Sequence, residues 1–251
     1  MQIEVVDDCS TRDDPEMIVR EFGGGRVAFY RQPHNVGATE NFNACIRRSV
    51  GHLIHILHGD DWVLPGFYDR VELSARRHQE IAFIGSRAFV VDEGGQLESL
   101  SPRTPTLERP GKDVTPFVYA NPFRTPAIVV RRQFYEAAGG FIPELIHTAD
   151  WEMWVRAIGY GGGCVINHPL ACYRHFAANE TNRLARTAEG LRDFLRLGQI
   201  FESRYGGFNR TAFIQMVANA AAIQARNFRQ VHDVEAAIAN ENLCRELTNG
   251  I

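Results

Sequence analysis

Short apolar runs that end abruptly in polar turns alternate with amphipathic stretches over residues 1–178. Residues 3–6 read as a buried strand that stops at Asp7-Asp8-Cys9-Ser10-Thr11. Asp13-Asp14-Pro15 then supplies a helix start, because acids favour the positive end and proline suits the first turn. Residues 27–30 form a second short strand. Ala38, Phe42, Cys45, Ile46 and Ser49 recur at i, i+4, i+7, i+8 and i+11, which is one face of a helix. Residues 53–57 make a strand followed by a second carboxylate pair, Asp60-Asp61, and Pro65 opens a helix carrying Phe67, Val71 and Leu73. Residues 81–85 and 89–91 are strand-like, with a turn at Asp92-Glu93-Gly94-Gly95. Residues 98–114 are rich in Pro, Ser and Thr without periodicity and read as a long loop, a type that is usually functional or mobile. A strand over 127–130, a helix stopped by Gly139-Gly140, a helix over 150–158 and a last strand over 164–166 complete this part.

The texture changes after Asn179. Leu191, Phe194, Leu195 and Leu197 begin a helix that runs to Tyr205 and breaks at Gly206-Gly207. Phe213, Met216, Val217, Ala220 and Gln224 mark a second helix, and Val231, Val234, Ile238 and Leu247 a third. The expected organisation is an α/β domain over residues 1–180 and a helical segment over 181–251. That segment suits packing on the core, a lid, a homodimer surface, or an amphipathic element touching a membrane.

Composition narrows the class. The chain has 251 residues, 45% hydrophobic and 23% charged, with a net charge of -3. Such a balance excludes a disordered chain and carries no basic footprint for nucleic acid. Its basic side chains are 26 Arg and one Lys, Lys112, which reads as codon usage in a GC-rich genome rather than as an anion site. The five cysteines, Cys9, Cys45, Cys164, Cys172 and Cys244, include no CxxC pair, so reduced thiols are expected instead of zinc or disulfides. A secretory leader is not expected from the opening residues, where Asp7-Asp8 follows a short apolar run, and no 18-residue apolar stretch occurs in the sequence. The location these features suggest is the cytoplasm, with peripheral contact at the inner membrane the remaining membrane role. The Asn179 and Asn209 sequons then count as chance matches.

The chemistry concentrates in carboxylates. Two strands lead into Asp7-Asp8 and Asp60-Asp61. Ligands of open α/β sheets bind at the carboxyl ends of strands, so parallel strands would put both pairs on one rim. Clustered carboxylates repel each other, and a divalent cation is the natural neutraliser. Each pair alone also suits a turn or a helix cap. Asp150, in Thr148-Ala149-Asp150-Trp151-Glu152-Met153-Trp154, reads either as a helix cap beside two core tryptophans or as a general base with an aromatic wall.

These segments together resemble family 2 glycosyltransferases. Val5-Val6-Asp7-Asp8-Cys9-Ser10-Thr11 is similar to the family's VVDDxST segment, and Asn35-Val36-Gly37 with the following helix to its N-x-G-x-x-x-A-x-N segment. Leu57-His58-Gly59-Asp60-Asp61-Trp62 resembles the metal-binding D-x-D-D loop. Gly139-Gly140-Phe141-Ile142-Pro143-Glu144 followed by Ala149-Asp150-Trp151-Glu152-Met153-Trp154 resembles GGF-x-P-E and then E-D-W-x-L-W, and Tyr173-Arg174 the late YR signature. The resemblance covers residues 3–179. It implies a GT-A fold, a Rossmann-like mixed sheet flanked by helices, and inverting transfer from a nucleotide-diphospho-sugar, with UDP the expected nucleotide, to a hydroxyl of a saccharide or other acceptor, as in bacterial polysaccharide biosynthesis. It places Asp7, Asp8, Asn35 and Gly37 at the nucleotide and Asp61 at the donor sugar. Asp60 and His58 would hold Mn²⁺ or Mg²⁺, and Asp150 would be the base. Trp151, Glu152, Trp154, Arg174 and His175 would lie on the acceptor side.

This chain departs from the family pattern at three points. His58 replaces the leading aspartate of the metal loop, and His175 directly follows Arg174 where the family has its histidine one position later. A strand and helix that open the family's fold are expected upstream of Ile3. These departures keep a second reading in view, a non-catalytic nucleotide-sugar-binding or scaffold protein. A nucleotidyltransferase would need a lysine-containing phosphate loop, and the one lysine is Lys112.

Overall fold

The computed structural model describes residues 1–176 and 179–249. The chain opens with β1 (Glu4–Asp7), α1 (Pro15–Phe22), β2 (Ala28–Arg31) and α2 (Ala38–Arg48). The Asp14 carboxylate caps α1 through the Glu16 amide, with Pro15 as the first helical residue. Then come β3 (Leu53–His55), β4 (Trp62–Val63), α3 (Phe67–Arg77), β5 (Phe83–Val91), β6 (Leu97–Leu100), β7 (Ile128–Arg131), α4 (Arg132–Ala138), α5 (Ala149–Gly161) and β8 (Gly163–Arg174). The helices α6 (Glu180–Arg186), α7 (Glu189–Arg204), α8 (Arg210–Gln230) and α9 (Val234–Asn249) follow.

The strands form a mixed α/β architecture in two sheets. β1 and β2 pair in parallel. The larger sheet has the order β3-β7-β5-β8-β4, with β6 on β5. Its β5–β8 pair is parallel and its other pairs are antiparallel. Among the described residues β1 pairs with β2 alone and β3 with β7 alone, and both strands border the same cavity.

β5 is the central strand. Its apolar side chains Phe83, Ile84, Ala88, Val90 and Val91 are buried and Phe89 is partly so. One core joins the sheet, α5 and the C-terminal helices: Phe83, Ile128, Trp154 and Ile158 cluster with Phe201, Phe213 and Leu243. Of the roles open to the C-terminal helices, packing on the core is the one seen. Trp151 of α5 touches the rings of Phe194, Phe201 and Phe213.

Several elements differ from the pattern reading. β5 runs unbroken through Ser86 and Arg87, because Arg87 reaches sideways to donate to the Ser101 carbonyl at 2.7 Å. β8 extends over 12 residues instead of three, paired along β5 across register shifts near Pro169. The expected 98–114 loop contains the end of β6 and a single helical turn at Pro105–Leu107 whose Leu107 is fully buried.

Candidate functional site

Asp7 and Asp8 end β1 and enter a loop that they organise. The Asp7 carboxylate accepts from Ser10 Oγ at 2.5 Å and from Arg31 Nε at 2.7 Å. Burial pushes the Asp7 carboxyl up, but the hydrogen bonds from Ser10 and Arg31 outweigh it and leave its pKa lowered. Asp8 accepts from the amides of Val36 at 2.7 Å and Gly37 at 3.0 Å, while Asn35 Nδ2 donates to the Asp8 carbonyl at 3.1 Å. Gly37 holds φ +85° directly before α2, a conformation that glycine adopts without strain. Three of the four residues expected at the nucleotide, Asp8, Asn35 and Gly37, thus form one hydrogen-bonded unit joining segments 27 to 29 positions apart, while Asp7 bonds to Ser10 and Arg31.

The second carboxylate pair lies in the turn between β3 and β4. His58, Asp60 and Asp61 bring ligand atoms within 4.8 Å of one another. Asp61 Oδ1 accepts from the Arg174 amide at 2.8 Å. Its other oxygen lies 3.6 Å from His58 Nδ1, beyond hydrogen-bond length. The His58 ring stacks on Phe42 at 5.1 Å and 7°. Burial raises the Asp61 pKa to about 7, with the Asp60 charge adding to it and the Arg174 amide opposing it. Burial lowers His58 against the opposing charges of Asp60 and Asp150, which favours the neutral, ligand-ready imidazole.

Asp61 Oδ2 and His58 Nε2 are buried and have no hydrogen-bond partner. Orphaned buried polar atoms are rare, and two inside one donor cluster fit a bound cation. The residues present therefore suit a divalent ion, with Asp60, Asp61 and His58 as donors.

Asp150 is the second residue of α5, with Thr148 in the cap position. Its Oδ1 accepts from the Trp151 amide at 2.6 Å and its Oδ2 from Thr125 Oγ1 at 3.3 Å. Burial raises its pKa against the opposing His147 charge, the Trp151 amide and His58. A carboxylate raised in this way is a stronger base than an exposed one. Thr125 was not singled out in the sequence; it lies 25 residues from Asp150 and has no local signature.

One open cavity of about 2430 Å³ receives Asp7, Asp8, Asn35, Gly37, His58, Asp60, Asp61, Asp150, Trp151 and His175. Tyr173 and Arg124 also line it, with the Arg124 guanidinium 5.8 Å from the Tyr173 ring. Three residues expected on the acceptor side lie elsewhere. Trp154 is packed between Phe83 and Phe141 in the core. Glu152 is fully buried, paired with Arg156 at 2.9 Å and with Arg204 of α7. The Arg174 guanidinium lies 5.1 Å over the Trp62 ring, and this residue serves the site through its amide. Trp151 borders the cavity, although its indole N–H is spent on the Phe117 carbonyl at 2.6 Å. His175 borders it too, with Nδ1 3.2 Å from Glu98.

Comparison with known proteins adds to this geometry. The model of glycosyl transferase family 2 matches residues 1–136. The chain is 28% identical over 212 residues to the "Uncharacterized protein MT1568" of Mycobacterium tuberculosis, covering 78% of this chain and 65% of that protein. It is 25% identical over 138 residues to the amylovoran biosynthesis glycosyltransferase AmsE of Erwinia amylovora, covering 55% and 47%. The chain thus spans less than two thirds of the length of either relative. Among solved structures, Staphylococcus aureus TarS 1-349 in complex with UDP superposes with a TM-score of 0.57 at 15% identity, covering 98% of this chain and 82% of that one. GalNAc-T7 with UDP, GalNAc and Mn²⁺ superposes with a TM-score of 0.59 at 14% identity, covering 96% and 50%. These likenesses identify the fold as GT-A.

Proposed function

The chain belongs to glycosyl transferase family 2, matched over residues 1–136, and from that premise we propose that it transfers a sugar from a nucleoside-diphosphate donor to an acceptor hydroxyl with inversion. The observation that carries this reading is the meeting of Asp150 with the His58-Asp60-Asp61 cluster in one cavity. UDP is the proposed nucleotide, since the TarS and GalNAc-T7 structures both contain it.

In this mechanism the acceptor oxygen attacks the anomeric carbon as the bond from that carbon to the diphosphate oxygen breaks. The acceptor proton passes to Asp150, whose half-buried carboxylate lies at the positive end of α5. The departing diphosphate gains negative charge, and a divalent cation, when bound, stabilises it electrostatically. Asp60 and His58 would hold that cation together with Asp61, the residue expected beside the donor sugar. The loop of Asp7, Asp8, Asn35 and Gly37 holds the nucleoside end. The acceptor, a saccharide or another hydroxyl compound, enters past Trp151 and His175. Among the described residues no helix is long and apolar enough to cross a membrane.

The test is turnover of a panel of nucleotide sugars with Mn²⁺, by transfer or slow hydrolysis. Asp150→Asn should lower turnover by about 10²-fold or more, as loss of a general base does, and leave UDP binding intact. Asp60→Ala should weaken both. A wild type as silent as both variants, yet still binding UDP, would establish the non-catalytic reading instead.

A further inference from the structure

A nucleoside diphosphate leaves with more negative charge than one divalent cation cancels. The cavity that would take it already holds the carboxylates of Asp60, Asp61 and Asp150. We infer that the Arg124 guanidinium grips the phosphoryl oxygens of the donor's diphosphate and stabilises that group as it leaves, a role that rests on the nucleotide-sugar reading of the cavity.

Among the described residues two arginines line this cavity, and they differ in how their donors are used. Arg183 gives its Nε and Nη2 to Glu180 at 2.8 and 2.5 Å. Arg124 is half-buried and has no carboxylate partner among the described residues. Its Nη1 donates to the Phe123 carbonyl at 2.9 Å, and its guanidinium lies 5.8 Å from the Tyr173 ring. Of its five N–H donors, those on Nε and Nη2 meet no acceptor among the described residues. That edge is a planar fork, the shape that fits two phosphoryl oxygens at once.

Backbone pairing sets this fork between the carboxylate turn and the base. Trp62 pairs with Cys172 in antiparallel register, so Asp61 stands across from Tyr173, and the Arg174 amide holds Asp61 Oδ1 at 2.8 Å. Tyr173 therefore carries Arg124 beside the carboxylate turn. The next residue, Thr125, donates to Asp150 Oδ2 at 3.3 Å. The segment is also anchored on both sides of Arg124. Phe123 packs on Phe83 and Phe117, and its amide donates to Asn121 Oδ1 at 3.1 Å. The Pro126 carbonyl lies 3.0 Å from His55 Nε2. A guanidinium mounted in this way loses little freedom on binding. As the bond from the anomeric carbon breaks, its electron pair stays on the diphosphate oxygen. The fork then donates to more negative oxygens and binds them more tightly, which lowers the barrier.

The experiment titrates the full chain with uridine, UDP and inorganic pyrophosphate in EDTA, so that no cation bridges ligand and protein. The wild type should prefer UDP to uridine by at least ~10-fold, the worth of charge-assisted hydrogen bonds. Arg124→Gln should cut that preference by ~10-fold or more. It should weaken pyrophosphate to a similar extent and leave uridine affinity unchanged. Arg124→Lys should restore part of the loss, since it keeps the charge without the fork. A wild type with no UDP preference, an unchanged preference in Arg124→Gln, or an equal loss of uridine binding would each overturn the inference. If Arg124→Gln does not fold, the drop in UDP preference between the wild type and Arg124→Lys still decides. No turnover enters these titrations. Arg124-dependent UDP binding by a protein silent in transfer would sink the transfer reading and spare Arg124. Full turnover and full UDP affinity in Arg124→Gln would do the reverse.

Discussion

Asp193 and Thr148 meet where the C-terminal helices join the start of α5. The fully buried Asp193 carboxylate of α7 accepts from the Thr148 amide at 2.8 Å and its hydroxyl at 2.9 Å, and from the His147 amide at 2.8 Å. The first amides of a helix have no partner within it. Here a side chain 45 residues away supplies one, two positions before Asp150. Asp193→Ala strands these donors, each at about 1–3 kcal/mol. The expected loss is at least ~3 kcal/mol in urea unfolding, and kcat should fall as the start of α5 loosens around Asp150. Asp193→Asn keeps one carbonyl acceptor and should lose less on both counts. Equal stability of the alanine variant and the wild type would refute the capping role.

Asp150 and Glu152 are two residues apart on α5 and should respond in opposite ways. Glu152 is fully buried against Arg156 and Arg204, and Arg156 in turn donates to the carbonyls of Ala138 and Gly140 at 2.5 and 2.6 Å. Glu152→Gln leaves two guanidinium groups without their counter-charge. Breaking a buried pair in this way costs about 3–5 kcal/mol, so thermal unfolding should shift down sharply. Asp150→Asn removes a carboxylate whose ionisation the site opposes, and should leave the melting temperature close to wild type while lowering turnover about 10²-fold or more. If Glu152→Gln melts normally and loses only acceptor affinity, Glu152 does belong at the acceptor.

Residue patterns made much of this arrangement readable. The strand-to-carboxylate junctions at Asp7-Asp8 and Asp60-Asp61 are local, and both pairs do face one cavity. The two Trp positions of α5 are a local pattern with two meanings, and only packing separates Trp151 at the cavity from Trp154 in the core. Other features had no local signal. Asp193 sits in an amphipathic run where an acid normally faces water, and its partners are fixed by tertiary contact alone. The strand β6 is exposed along its length, so it lacks the alternation that marks a half-buried strand. Within β8, Asn167-His168-Pro169 reads as a turn, yet the parallel partner β5 carries the strand through it. Glu152 did carry a hint, an Arg four residues on, the spacing of a helical ion pair.

Gly161 ends α5 against the start of β5. A Cβ there would lie 2.7 Å from the Ala82 Cβ and 3.0 Å from the Ala82 amide nitrogen, and Ala82 is itself buried. The neighbouring backbone cannot yield as a flexible side-chain tip would. Gly161→Ala should therefore cost about 1–3 kcal/mol, the usual penalty for overpacking. The control is Gly206→Ala in the turn after α7, where a Cβ meets nothing within 4 Å. Chemical unfolding of the two variants side by side should show a loss in the first alone.

Asp7 should set part of the acid limb of stability. Its carboxylate is lowered from 3.8 because Ser10 and Arg31 outweigh its burial. A group with a depressed folded pKa stabilises the native state fully above its unfolded value and loses that contribution as pH falls through the folded value. The window here therefore opens near pH 3.8 and extends below it. Arg31 is 39% exposed at its side chain, so solvent screens the pair and its worth is small. Asp7→Asn should be less stable than the wild type at pH 7, and the two stabilities should converge as pH falls below 3.8. Urea unfolding at pH 7 and again near pH 3 measures both gaps. A gap that stays constant or widens on acidification would mean that the ionised Asp7 carboxylate does not hold the β1 loop.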